Sequence, residues 1–203
     1  MAIDTQGVTG LAPPKRLSLD VSEPRGGDGA VRLVDRLTLP PGRHEVRIAV
    51  RQQGGAVGSA VAHVNVPDFA RTSPAMSGLV LTSADGSAQP TLYGDETMAG
   101  GRAADMTIWR RFARGDVVTA IAEVYPRSRT RIEDVRMTMT IETLAGVRAW
   151  TEAALPVAAE PGRAVYAIRL PLTDLTPGDY VVTMEAVADR RTVSRQVPIS
   201  VAE

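Results

Sequence analysis

The chain has 203 residues, 44% of them hydrophobic, which is enough for real cores and too many for a disordered polymer. Its 23 basic and 23 acidic residues give a formal net charge of zero, so no overall field draws it onto nucleic acid or anionic lipid. The absence of cysteine excludes disulfides, thiolate zinc sites, iron–sulfur clusters and cysteine nucleophiles.

The first residues, "MAIDTQGVTGLAPPKRL", lack the basic end and apolar stretch of a signal peptide. No apolar run approaches the roughly 18 residues of a membrane span. The expected placement is cytoplasmic if Met1 is the natural start. It is extracytoplasmic, secreted or on the cell surface, if the chain is a fragment of an exported protein. Two strand candidates follow, "KRLSLDV" and "AVRLVDRLTL". Asp20-Val-Ser22, at the end of the first, is similar to the opening metal-binding strand of integrin-type adhesion domains. Pro24 stands where a second serine is needed, so an ordinary strand end is the better account.

Next comes "LPPGRHEVRIAVRQQGGAVGSAVAHVNV", and it has a near-double downstream, "LTPGDYVVTMEAVADRRTVSRQVPISV". A shift of 136 positions sets Leu39 on Leu175, Gly42 on Gly178, His44 on Tyr180 and Val46 on Val182. Apolar residues alternate in both copies, so each reads as turn, strand, turn, strand. This predicts the closing hairpin of a β-sandwich, present twice. His44 and His63 fall in strands of the first copy. Two histidines are too few for a metal site, and the match of His44 to Tyr180 marks a packing position that accepts a ring.

Residues 67–77, "PDFARTSPAMS", hold two prolines and little apolar pattern and read as a linker of limited flexibility. From 78 onward the alternation predicts about seven or eight strands. Val118, Ala120, Ala122 and Val124 share one face. So do Val135, Met137, Met139 and Ile141; Ala164, Tyr166, Ile168 and Leu170; and Tyr180, Val182, Met184 and Ala186. No segment holds a convincing helical period. The predicted fold is all-β: tandem immunoglobulin-like β-sandwich units, the first small or partial. The units are residues 1–66, a linker at 67–77, and a sandwich at 78–203. A partial first sheet would leave edges open to pairing.

The chemistry-bearing stretches have plain readings. Arg114-Gly115-Asp116 can serve integrin binding on a loop tip, but it precedes a strand and reads as a turn. The loop 94–106, with Asp95 and Glu96, is long for a strand connection. "PRSRTR", 126–131, offers Arg127, Arg129 and Arg131, with Glu133 and Asp134 close behind to offset them. Arg127, Arg129, Arg131, Asp95 and Glu96 are the candidate partner contacts. No phosphate loop, nucleophile elbow or His-Glu-x-x-His motif occurs. No catalytic, metal or cofactor-binding residue is assigned, and no cofactor is expected. The chain is read as a non-enzyme.

The ordered series "LTLPPGRHEVRIAV", "SGLVLTS", "FARGDVVTAIAEVYP" and "PLTDLTPGDYVVTMEAV" resembles the C-terminal region of bacterial von Willebrand factor A-related proteins of acidobacterial type. In that family an adhesion domain with a metal site precedes the β-rich tail. That domain is not among these residues, so its metal-dependent binding is not carried over. The resemblance implies extracytoplasmic placement and a non-catalytic, module-spacing role. The expected partners are a protein or neighbouring domains of a longer chain, with self-association through a free sheet edge as a further option. No nucleic acid or membrane insertion is expected. The alternative is a carbohydrate-binding or enzyme-accessory sandwich, which requires Trp109, Trp150 and Tyr125 to converge on one face.

Overall fold

The computed structural model describes residues 2–4, 32–51, 54–69, 71–84, 91–93, 105–127 and 130–203. Among them the regular elements are β-strands joined by turns and two short 3-10 segments, at Ile132–Asp134 and Leu172–Asp174. The chain is all-β.

The strands are β1 (Ala2–Asp4), β2 (Arg32–Val34), β3 (Gly42–Arg51), β4 (Val57–Val66), β5 (Ala75–Met76), β6 (Val80–Ser83), β7 (Thr91–Tyr93) and β8 (Met106–Thr107). They continue with β9 (Arg111–Ala113), β10 (Val118–Tyr125), β11 (Arg136–Thr143), β12 (Arg148–Ala154), β13 (Ala158–Glu160), β14 (Arg163–Arg169), β15 (Gly178–Ala188) and β16 (Arg191–Ala202). One sheet runs β13-β14-β10-β6-β8, with β5 also on β10. The other runs β12-β11-β15-β16-β9. Strand β9 joins β16 in parallel, and the remaining pairings in both sheets are antiparallel.

Period-two alternation decides what lies between the layers. All sixteen residues of the four predicted faces are buried, from Val118 on β10 to Ala186 on β15. Alanines 120, 122 and 164 come from one layer and Met137, Met139 and Met184 from the other, in one continuous core. Small residues on one side leave room for long, adaptable ones on the other. Each fully buried Val, Leu, Ile or Met side chain stabilises the fold by about 1.5–3 kcal/mol.

The sandwich contains more strands than the alternation predicts. The additions, β5, β8, β9 and β13, have two or three residues each, too few to show a period. The candidate "AVRLVDRLTL" is a strand only over Arg32–Val34. It stops where the Asp35 carboxylate accepts the Arg36 N–H at 2.9 Å, a local bond that competes with a ladder. "KRLSLDV", with Asp20 and Ser22, lies outside the described residues.

The first unit shows a three-stranded sheet, β1-β3-β4. Its hairpin β3–β4 matches β15–β16 in register: Gly42 pairs with Val66 as Gly178 pairs with Val201. Strand β2 pairs in parallel with β7, and the Arg32 guanidinium reaches the Thr91 hydroxyl and the Met106 carbonyl.

Residues 67–77 are seated on the sandwich. The Asp68 carbonyl accepts the N–H groups of Arg71 and Thr72, closing a turn. Strand β5 then pairs with β10, and Ser77 exchanges two bonds with Glu123: its N–H donates to the Glu123 carbonyl and its Oγ accepts the Glu123 N–H, both at 2.9 Å. From the other layer, Arg195 donates to the Met76 carbonyl at 2.8 Å and Arg191 to the Ser73 carbonyl at 3.4 Å.

Candidate functional site

Two surfaces stand out, and alternation creates both. On β10 the inward residues are Val118 to Val124, so Thr119, Ile121, Glu123 and Tyr125 face outward. The Glu123 carboxylate takes a bidentate bond from Arg163 on β14, Nη2 to Oε1 at 2.5 Å and Nε to Oε2 at 3.1 Å. The Tyr125 hydroxyl also donates to Glu123. Glu160 on β13 stands 3.6 Å from Arg163 Nη1. Phe69 leaves the 67–77 segment and meets Tyr125 edge-on, with ring centroids 4.8 Å apart. Phe69 remains 41% exposed. The result is an aromatic corner beside a fixed guanidinium–carboxylate pair.

Electrostatics follows from that geometry. Partial burial, with the Glu123 bond and charge behind it, pushes the Tyr125 phenol up to about 12. It is therefore a neutral hydrogen-bond donor at ordinary pH. The Glu123 bond, then its charge, holds the Arg163 guanidinium above its ordinary range.

The second surface is the hairpin β3–β4. One face carries Val46, Ile48, Val50, Ala60, Ala62 and Val64, since directly paired residues share a face. In the twin hairpin the same face is closed: Val182 and Met184 are 0% exposed. Here only the base is covered, by burial of His44 and Val46. Ile48 is 51% exposed and Val50 60%. No described residue covers that half of the sheet.

The residues expected at sites separate. Asp95, Glu96 and Arg129 lie outside the described residues. Arg127 is exposed. Arg131 is engaged by Glu133 at 3.3 Å and Asp134 at 3.4 Å, with the Asp134 bond first among the causes that raise its pKa. Asp116 of the Arg-Gly-Asp stretch closes a turn: its carboxylate accepts the Ala113 N–H at 2.8 Å and its own N–H donates to the Ala113 carbonyl. His44 and His63 sit on opposite faces of one hairpin and share no site. His44 Nε2 donates to the Pro40 carbonyl, and His63 lies 3.5 Å from Glu45. Among the described residues no group of three or more His, Asp or Glu side chains is placed to hold a metal ion. No described helix is long and apolar enough to cross a membrane.

The aromatic trio required for a sugar platform does not converge. Sheet order puts Trp150 on β12, at one edge, while Trp109 adjoins β9 at the opposite edge, and Tyr125 is on the other sheet. Trp150 is half-buried against the core. The aromatic pair that does form, Phe69 with Tyr125, joins residues 56 positions apart, and the Arg163–Glu123 bond spans 40. Only the spacing of Glu123 and Tyr125, two apart on one strand, was visible as a signal.

No family model matches the chain, and no curated protein does. Among solved structures, the C-terminal domain of wzt is similar at a TM-score of 0.39 and 14% identity, over 66% of this chain and 81% of that one. The sandwich description rests on the chain's own sheets.

Proposed function

We propose that the protein is a non-catalytic structural and interaction module of a larger exported bacterial protein, and that it meets a protein partner through the hairpin β3–β4. One observation carries this reading: a face that is sealed in the C-terminal copy is left open, and apolar, in the first. Open apolar patches in packed proteins mark interaction surfaces. The resemblance to von Willebrand factor A-related tails supports the extracytoplasmic and module-spacing parts of the reading.

A photo-crosslinking side chain at Val50, in the intact protein in its native cells, tests this. A discrete protein adduct from Val50, and none from exposed Glu203, is the expected result. Equal labelling at both positions, or no adduct at Val50, removes the proposal.

A second reading, a saccharide-binding face, is favoured by the Phe69–Tyr125 corner. An aromatic pair beside polar atoms held in fixed orientation suits a ligand with one apolar face and many hydroxyls. Titration with methyl pyranosides, followed by NMR of the two rings, is the check. Saturable shifts that Phe69→Ala abolishes support it; shifts equal to those produced by glycerol end it.

A further inference from the structure

A sheet edge presents unpaired N–H and C=O groups, and natural proteins blunt such edges with charge, proline or short length. The described edges of this protein mostly obey that rule. Strand β12 carries Arg148 and Glu152. Strand β13 has three residues and ends in Glu160, β9 has three and begins with Arg111, β8 has two, and β1 has three and ends in Asp4. Strand β4 departs from it. It has ten residues, VGSAVAHVNV, with no Asp, Glu, Lys, Arg or Pro, and its one described strand neighbour is β3. Nine of the ten are exposed.

We propose that β4 pairs antiparallel with β4 of a second copy of this chain, joining two three-stranded sheets into one of six strands. This rests on the proposed interaction role of the β3–β4 hairpin and names its occupant. Three observations favour a second copy. An antiparallel pair of identical strands is related by a two-fold axis, so both open edges are consumed at once and the assembly closes as a dimer. The chain's formal net charge is zero, so two copies meet without long-range repulsion. The exposed Ile48, Val50 and Val64 share a face with the strand's own Ala60 and Ala62, so pairing makes one continuous apolar surface across both copies. The charges of the hairpin sit on the opposite face, on Arg43, Glu45, Arg47 and Arg51 of β3, one strand back from the junction. Pairing ten residues forms on the order of ten backbone hydrogen bonds between copies. The covered area is at the small end for a protein interface, so association in the micromolar range is expected.

Light scattering after size exclusion tests this on the purified chain across roughly 1–100 µM, a range that brackets micromolar affinity. The mass should rise from 21.6 kDa toward twice that value. Val61 lies opposite Arg47, so Val61→Glu gains an ion pair within its own hairpin while setting carboxylates of the two copies near each other. It should weaken the dimer by roughly ten-fold or more, as like charges facing across strands do. Thr151→Glu, on the edge strand β12, should leave it unchanged. Circular dichroism of both variants confirms folding. A chain that stays at 21.6 kDa throughout, an open-ended fibre, or a Val61→Glu variant that dimerises like the parent overturns the proposal. A monomer that still gives an adduct from Val50 to another protein leaves the module role standing and removes self-pairing alone.

Discussion

His44 and Tyr180 make the same kind of bond in two hairpins of matching register. His44 Nε2 donates to the Pro40 carbonyl at 2.7 Å, and the Tyr180 hydroxyl donates to the Thr176 carbonyl at 2.7 Å. In each case the acceptor is four residues back, on the turn that leads into the strand. A carbonyl only accepts, so His44 Nε2 is the donor. Glycine precedes both rings by two positions. Gly42 has φ +134, a region side chains avoid, and a Cβ there would lie 3.9 Å from His44 Nε2. The ring pins the chain's entry into the sheet, and the glycine supplies a positive φ that L side chains rarely adopt.

Removing that bond should destabilise each copy separately. Tyr180→Phe leaves the Thr176 carbonyl and hydroxyl without their partner and should cost about 1 kcal/mol in urea unfolding. His44→Phe should have a smaller effect on global unfolding, because β3 is anchored by fewer buried residues than β15. Its mark should be faster amide exchange confined to β3 and β4. An equal loss of global stability from both would contradict this.

Tyr166 points the other way. It is fully buried in the core, and its hydroxyl has no described hydrogen-bond partner. A buried hydroxyl without a partner carries a desolvation cost of about 1–3 kcal/mol. Tyr166→Phe should therefore leave stability unchanged or raise it by up to about 1 kcal/mol, whereas Tyr180→Phe lowers it. Paired denaturation curves would separate the two.

Alkali should weaken the fold through Tyr125. Its phenol rises from 10.0 to about 12 on folding, by burial first and then by the Glu123 bond. A raised value means the folded state holds its proton longer than the unfolded chain. The stabilisation is complete below pH 10.0 and is lost as pH climbs from there through about 12. Burial raises Tyr166 as well and adds to the same slope. Tyr125→Phe should flatten, without abolishing, the fall of the urea midpoint over this interval. A mutant with the parent's slope would show that the Glu123–Tyr125 contact does not govern it.

Arg195 should control the seating of residues 67–77. Its bond to the Met76 carbonyl is partly buried and charge-assisted. Arg195→Ala should speed tryptic cleavage after exposed Arg71 several-fold, because local opening exposes that segment before global unfolding does. Unchanged cleavage would mean that β5 and the Ser77–Glu123 bonds hold the segment by themselves.

The sequence alone determined which side chains face inward. Val118 to Val124, Met137 to Ile141 and Tyr180 to Ala186 could be read correctly because strand sidedness is a local, two-residue property. The likeness of His44 to Tyr180 was legible for the same reason: one turn and one strand repeat as a block. Tertiary structure alone decided the lateral order of strands. That order separated Trp109 from Trp150, brought Phe69 onto Tyr125, laid residues 75–77 along β10, and left β4, among the described residues, at a sheet edge. Lateral neighbours are chosen by contacts between residues tens of positions apart, and period-two alternation is the same whichever strand lies alongside.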